Sequence, residues 1–139
     1  MIFMKNKSFI DNLEYRVTGA CIEVHKNLGP GLLESIYHKC LIRELQLQNI
    51  HYSSELPVLF TYKDVLLDTA LRADLYIENC LILEIKSVEK IHPIHEAQIL
   101  TYMKLLKAPK GLIINFNCTN IVQNGKKSFV SEFMYNYNN

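Results

Sequence analysis

Apolar residues recur at three- and four-residue spacing from about Ser8 to Leu28, at Ile10, Leu13, Val17, Ala20, Cys21, Val24 and Leu28, and this period predicts an amphipathic helix. Gly29-Pro30-Gly31 ends it, because proline lacks an amide donor and glycine accepts a left-handed turn. A second helix follows from about Leu32 to Leu47, with an apolar arc of Leu33, Ile36, Tyr37, Cys40, Leu41 and Leu45. The period then changes to two. Val58, Phe60 and Tyr62 alternate with Leu59 and Thr61, so Tyr52 to Tyr62 predicts a strand, and Lys63-Asp64 predicts the turn into the next.

The stretch from Leu71 to Lys86 carries the most information. Leu71, Ala73, Leu75 and Ile77 alternate with Arg72, Asp74 and Tyr76, predicting one apolar face. Leu81, Leu83 and Ile85 alternate with Ile82, Glu84 and Lys86, and Glu78-Asn79-Cys80 breaks the run between the two strands. Pairing Ile77 with Leu81 across a three-residue loop sets Leu75 against Leu83, Ala73 against Ile85 and Asp74 against Glu84. A two-residue loop would set each apolar row beside a charged one. Facing positions lie about 4.5–5.5 Å apart at Cβ, and two carboxylates that close repel unless a cation or a shared proton lies between them. A bound divalent metal is the simplest reason for the arrangement, with Lys86 on the same face.

After Lys86 the chain crosses Ser87 to His92, and Pro93 suits the first turn of a third helix. Ile94, Ala97, Gln98, Thr101, Tyr102 and Leu105 form one side of it. Ala108-Pro109-Lys110-Gly111 ends the helix, and Leu112, Ile113, Ile114 and Phe116 predict a strand buried on both faces, reached by a right-handed crossover. Asn124-Gly125, between Ile121-Val122 and Phe129-Val130, predicts a final hairpin over about 121–134; the tail from Tyr135 to Asn139 is expected to be loose.

A chain of 139 residues is expected to form one domain, 1–139. Hydrophobic residues make up 49% and charged residues 21%, which excludes a disordered composition. The net charge of +1 gives no global attraction for a polyanion, so nucleic-acid binding has to use a local basic surface drawn from Lys63, Arg72, Lys90, Lys104, Lys107, Lys110, Lys126 and Lys127. The opening MIFMKNKSF has no long apolar core and no segment is apolar enough to span a membrane. Cys21, Cys40, Cys80 and Cys118 form no C-x-x-C pair, so the expectation is reduced thiols in the cytoplasm.

Helix, three strands, helix and strand, with Asp74 on the second strand and Glu84-Ile85-Lys86 on the third, resembles the PD-(D/E)xK nuclease superfamily. More closely, Gly31-Leu-Leu-Glu34-Ser-Ile-Tyr37 is similar to the signature of the GxxExxY proteins. The resemblance covers about 28–116 and includes Arg72-Ala73-Asp74 and Gly111-Leu-Ile-Ile-Asn-Phe; it departs at Ala73, where the superfamily's name puts proline. Gln98-Ile-Leu-Thr-Tyr102 resembles the Q-x-x-x-Y element of RecB-like nucleases, and its spacing puts both side chains on one helical face.

This resemblance implies a restriction-endonuclease-like α/β core in the order α-β-β-β-α-β, a mixed central sheet flanked by helices. It implies metal-dependent hydrolysis of phosphodiester bonds in nucleic acid, with DNA the favoured polymer, leaving a 5′-phosphate and a 3′-hydroxyl. Asp74, Glu84 and the backbone carbonyl of Ile85 would hold Mg²⁺ or Mn²⁺, and Glu34 would complete the site directly, through water, or by holding a second ion. Lys86 would orient water or stabilise charge on the phosphate. Gln98 and Tyr102 would support the site from the third helix, and Arg72 would contact a phosphate or form an edge-strand salt bridge. A protein partner or a homodimer would help such a small chain acquire substrate.

Other readings compete. A non-cleaving nucleic-acid or protein binding module on the same fold would be marked by loss of an acidic residue or the lysine, and Glu34, Asp74, Glu84 and Lys86 are all present. A glycosidase also uses paired carboxylates, but it predicts no lysine two residues beyond one of them. His92-Pro-Ile-His95 lacks a second pair at zinc-ligand spacing. The plainest role for Glu34 is a favourable charge near a helix N-terminus.

Overall fold

The structure, a computed structural model, describes residues 5–138; the first four residues of the opening segment and Asn139 of the tail lie outside them. Helices α1 (Lys7–Leu28) and α2 (Glu34–Leu47) precede strands β1 (Tyr52–Tyr62), β2 (Val65–Ile77) and β3 (Leu81–Lys86). Helix α3 (Pro93–Leu106) crosses to β4 (Lys110–Asn115), and β5 (Lys126–Val130) follows. The sheet has the order β1-β2-β3-β4-β5 and is mixed, with β3 and β4 parallel and every other neighbour antiparallel. This is the expected α/β architecture, a central sheet flanked by helices.

Each face of the sheet buries its own cluster. Ile10, Val17 and Cys21 of α1 and Tyr37, Leu41 and Leu45 of α2 pack with Leu75, Ile77, Leu83, Ile85, Leu112 and Ile114. On the other face Ile99, Tyr102 and Met103 of α3 pack with Val58, Ala73, Ile82 and Ile113. The strands β3 and β4, covered on both sides, are buried at five of six positions each, as a central parallel pair requires. A partly buried ionic cluster ties α1 to the far edge of the sheet: Glu14 meets Lys110 at 2.9 Å and Lys126 at 2.7 Å, and Lys126 donates to the Thr18 hydroxyl.

The β2–β3 register is the one the apolar pattern selects, with Leu75 opposite Leu83 and Ile77 opposite Leu81. Glu78 and Asn79 take left-handed backbone at φ 52° and 53°, and the Cys80 amide closes the turn on the Ile77 carbonyl. The expected face of β2 holds only in part. Ala73 belongs to the α3 side while Leu75 and Ile77 belong to the α1–α2 side, so it does not meet Ile85. The alternation slips at Asp74, where backbone pairing with β3 has already ended.

Three other expectations are corrected. Ile94 is 71% exposed, and of the row that begins there Tyr102 is the buried member; α3 turns Ile99 and Met103 to the core beside it. Residues Ile121–Gly125 form a π-helical turn, not the first strand of a hairpin; β5 pairs with β4 instead. The cause is asparagine chemistry. Asn120 accepts from the Gln123 amide, and Asn124 accepts from the Asn120 amide and donates to Thr119, closing a helical turn that the Asn-Gly pair would otherwise have made a reversal. In the tail, Glu132–Tyr137 is a 3-10 helix capped by Ser131, with Met134 and Tyr137 against the core.

Gly125 is where that turn touches the sheet. A Cβ there would lie 2.6 Å from Cys118 Sγ and 2.9 Å from the Asn115 carbonyl. Gly125→Ala is therefore expected to destabilise the protein by about 1–3 kcal/mol, read as a lower midpoint in urea denaturation with an unchanged slope.

Candidate active site

The site begins where β2 and β3 part. Beyond the Leu75–Leu83 pair, each acidic side chain takes a backbone amide of the opposing strand: the Asp74 amide donates to Glu84 Oε2 at 2.7 Å, and the Ile85 amide donates to Asp74 Oδ2 at 2.8 Å. The two carboxylates are thus interlocked in the gap between the strands. Glu84 is buried, at 4% exposure, while Asp74 lines an open cleft of about 360 Å³ together with Glu34, Ser35, His38, Lys39, Ile42, Ser54, Glu55 and Ile85.

The electrostatics follow from this geometry. Burial and then the Asp74 charge push the Glu84 carboxyl up to about 8, against the pull of the Asp74 amide and Lys86. Burial also raises Asp74, opposed by the Ile85 amide and by the nearby His38 and Lys86. Burial, Glu84 and Asp74 raise the Tyr102 phenol. Two acidic groups held this close raise each other's proton affinity, and a cation could relieve the same repulsion that a proton does.

Glu34 is held by its own motif. Gly31, at φ 91°, and Gly29, at φ 70°, shape the loop before α2. The buried Tyr37 hydroxyl donates to the Gly29 carbonyl at 2.6 Å and accepts from the Leu32 amide, while its ring stacks on Phe116 at 4.4 Å. Glu34 Oε2 accepts from the Ser87 amide at 3.3 Å, and the Ser87 hydroxyl donates to the Leu32 carbonyl. Glycine, glutamate and tyrosine at this spacing therefore tie the α2 N-terminus to the end of β3. Asn115 secures the other side, accepting from the Val88 and Asn117 amides and donating to the Val88 carbonyl.

Of the residues expected from sequence, Asp74, Glu84 and Ile85 meet directly, Glu34 shares their cleft, and Lys86 lies close enough to act on both carboxylates. Gln98 and Tyr102 line a separate, apolar depression on the α3 side with Leu71, Ile94 and His95. Tyr102 is linked to Glu84 through charge, although no hydrogen bond joins them among the described residues. Arg72 donates to the Leu71 carbonyl and faces Asp68 at 3.7 Å. The basic surface is partly spent inside the fold, since Lys110 and Lys126 are taken up by Glu14 and Lys127 by Glu96.

Sequence reasoning missed His38 and Glu55. Their ligand atoms and one from Asp74 all lie within 4.8 Å of one another. His38 could have been found, because it follows Glu34 by four residues on the same helical face. Glu55 could not. It adopts φ 53° in an edge strand, between the Ser54–Leu75 and Leu56–Ala73 pairs that flank Asp74, and nothing in its neighbours' alternation marks that left-handed backbone; the register shift of β1 comes later, between Pro57 and Leu59.

A helix-flanked mixed sheet with an aspartate on one inner strand and Glu-x-Lys on the next defines the nuclease-like class. The family model described as the PD-(D/E)XK nuclease superfamily matches residues 11–128, and the chain belongs to that superfamily. No curated protein and no solved structure gives a significant match. Among the described residues no helix is long and apolar enough to cross a membrane, and all four cysteines are free thiols.

Proposed function

We propose that the chain is a divalent-metal-dependent nuclease that hydrolyses phosphodiester bonds of nucleic acid, with DNA the first polymer to test. The observation that carries this reading is the interlocked Asp74–Glu84 pair with Lys86 beside it. The Gly31, Glu34 and Tyr37 pattern, similar to that of the GxxExxY proteins, supports it by holding an additional carboxylate at the mouth of the same cleft.

In this reading Asp74, Glu84 and the Ile85 carbonyl would hold the ion, with Oδ1 and Oε1 the carboxylate oxygens not already accepting the two backbone amides. Hard oxygen donors suit Mg²⁺ or Mn²⁺. The bound ion supplies charge for the scissile phosphate and lowers the pKa of a water. The chain does the rest. The backbone bonds fix both carboxylates without recourse to side-chain packing, Glu34 positions water at the open side, and Lys86 brings donors to the charge that builds on the phosphate. Tyr102, buried on the α3 side where the Glu84 charge reaches its phenol, would support the pair from that side, and Gln98 and Arg72 would offer polar contacts to the bound strand.

The test is a panel of labelled single- and double-stranded DNA and RNA incubated with Mg²⁺, Mn²⁺ or EDTA, for wild type and Lys86→Ala. Cation-dependent cutting that falls about 100-fold or more in Lys86→Ala is expected, and the panel identifies the polymer. Binding without cutting on every substrate, unchanged in Lys86→Ala, would instead mark a non-cleaving module.

A further inference from the structure

We infer that the cleft beside Asp74 selects Mn²⁺ over Mg²⁺ through His38 and Glu55, an inference that rests on the metal-dependent reading above. His38, Glu55 and Asp74 come from α2, β1 and β2, and their ligand atoms lie within 4.8 Å of one another around one point of the open cleft. Ligands about 2.1 Å from a shared octahedral ion stand about 3.0 Å apart when cis and about 4.2 Å apart when trans, so the three groups would close by up to about 2 Å on binding.

The histidine is oriented for this. Its Nε2 pairs with the Ser54 hydroxyl at 2.9 Å, while Nδ1 faces Glu55 Oε1 at 3.5 Å. In the tautomer that donates Nε2–H to Ser54, the Nδ1 lone pair is on the Glu55 side of the ring, the arrangement by which outer partners fix a metal-binding imidazole. Glu55 reaches the cleft because its left-handed backbone turns the side chain off the regular alternation of β1. Asp74 gives one oxygen to the Ile85 amide and keeps the other for an ion.

The donor set decides the ion. Mg²⁺ demands oxygen ligands and near-ideal octahedral geometry. An imidazole nitrogen favours a first-row transition ion over Mg²⁺, and of the two ions that the nuclease reading admits Mn²⁺ is the one that takes it, with the two carboxylates as oxygen ligands. Asp74 belongs both to this cluster and to the pair with Glu84, so His38 and Glu55 would meet an ion at Asp74 from the open cleft while Glu84 meets it from the strand gap.

The test uses the full chain stripped of metal. Mn²⁺ is titrated by loss of the free-ion electron paramagnetic resonance signal, Mg²⁺ is measured by competition, and pulsed resonance on the Mn²⁺ complex reads nitrogen coupling. Wild type is expected to bind Mn²⁺ about tenfold or more tightly than Mg²⁺ with a clear ¹⁴N coupling. His38→Ala and Glu55→Gln should each weaken Mn²⁺ by about tenfold or more, His38→Ala losing the coupling while its Mg²⁺ affinity changes less than about threefold. Because the coupling is read on wild type, it stands even if a variant misfolds. Mn²⁺ bound without nitrogen coupling, as tightly in both variants as in wild type but lost in Asp74→Asn, would overturn this inference and leave the nuclease reading intact. Failure of wild type to bind either cation would overturn both.

Discussion

Glu84→Gln is expected to lower cleavage by about 100-fold or more while making the metal-free protein more stable at alkaline pH. The folded Glu84 carboxyl is raised from 4.5 to about 8, so between those values the folded state keeps a proton that the unfolded state has released. Stability therefore falls as pH rises through that window, and the cost is complete above about pH 8. The loss is on the order of 2 kcal/mol or more for wild type. Glutamine accepts the same Asp74 amide through its carbonyl but carries no charge to bury. Urea denaturation in EDTA at pH 5 and pH 8 checks this: the wild-type midpoint should drop more steeply than that of Glu84→Gln, and Mg²⁺ or Mn²⁺ at pH 8 should restore it in wild type alone. Parallel pH dependences in the two proteins would contradict the proposed strain of the carboxylate pair.

Tyr37→Ala is expected to cost about 3–5 kcal/mol, the range for deleting a buried aromatic ring. Its ring is fully buried and stacked on Phe116, and its hydroxyl joins the Gly29 carbonyl to the Leu32 amide. Tyr37→Phe keeps the stack and loses only the hydroxyl bonds, so it should cost about 1–3 kcal/mol. Because the same loop carries Leu32 to Ser87 and Glu34, the phenylalanine variant should also lose activity beyond what its stability explains. Equal activity in wild type and Tyr37→Phe would make the motif tyrosine purely structural.

The carboxylate pair was legible because a half-buried hairpin tolerates one register only, and that register fixes Asp74 against Glu84 whatever the rest of the chain does. The slip of Ala73 to the opposite face was not, since the carboxylates themselves displace the ladder that alternation assumes. The buried face of α3 was misplaced for a reason that lies outside the helix. Gly111 lets Met103 and Ile99 approach the sheet to distances a Cβ would occupy, 2.7 Å and 3.1 Å, so the helix settles on that row. In the sequence Gly111 reads only as the end of a turn. The last strand was displaced because Asn120 and Asn124 spend their side chains on the backbone, an effect that dipeptide turn signals do not carry. Glu55 belongs with these cases, brought beside Asp74 through a left-handed backbone that no alternation marks, whereas His38, one helical turn after Glu34, could have been read from spacing.

If the chain is a metal-dependent nuclease, its cleft cuts a phosphodiester only when it holds a divalent cation. The most direct measurement is a single-turnover time course with excess purified chain on an end-labelled strand of the preferred polymer, begun in EDTA and switched by excess Mg²⁺ or Mn²⁺. Wild type should cut nothing before the switch and cut promptly after it, with Glu84→Gln and Lys86→Ala inactive throughout although folded. Cutting before the cation is added, or equal cutting by all three proteins, would contradict the account.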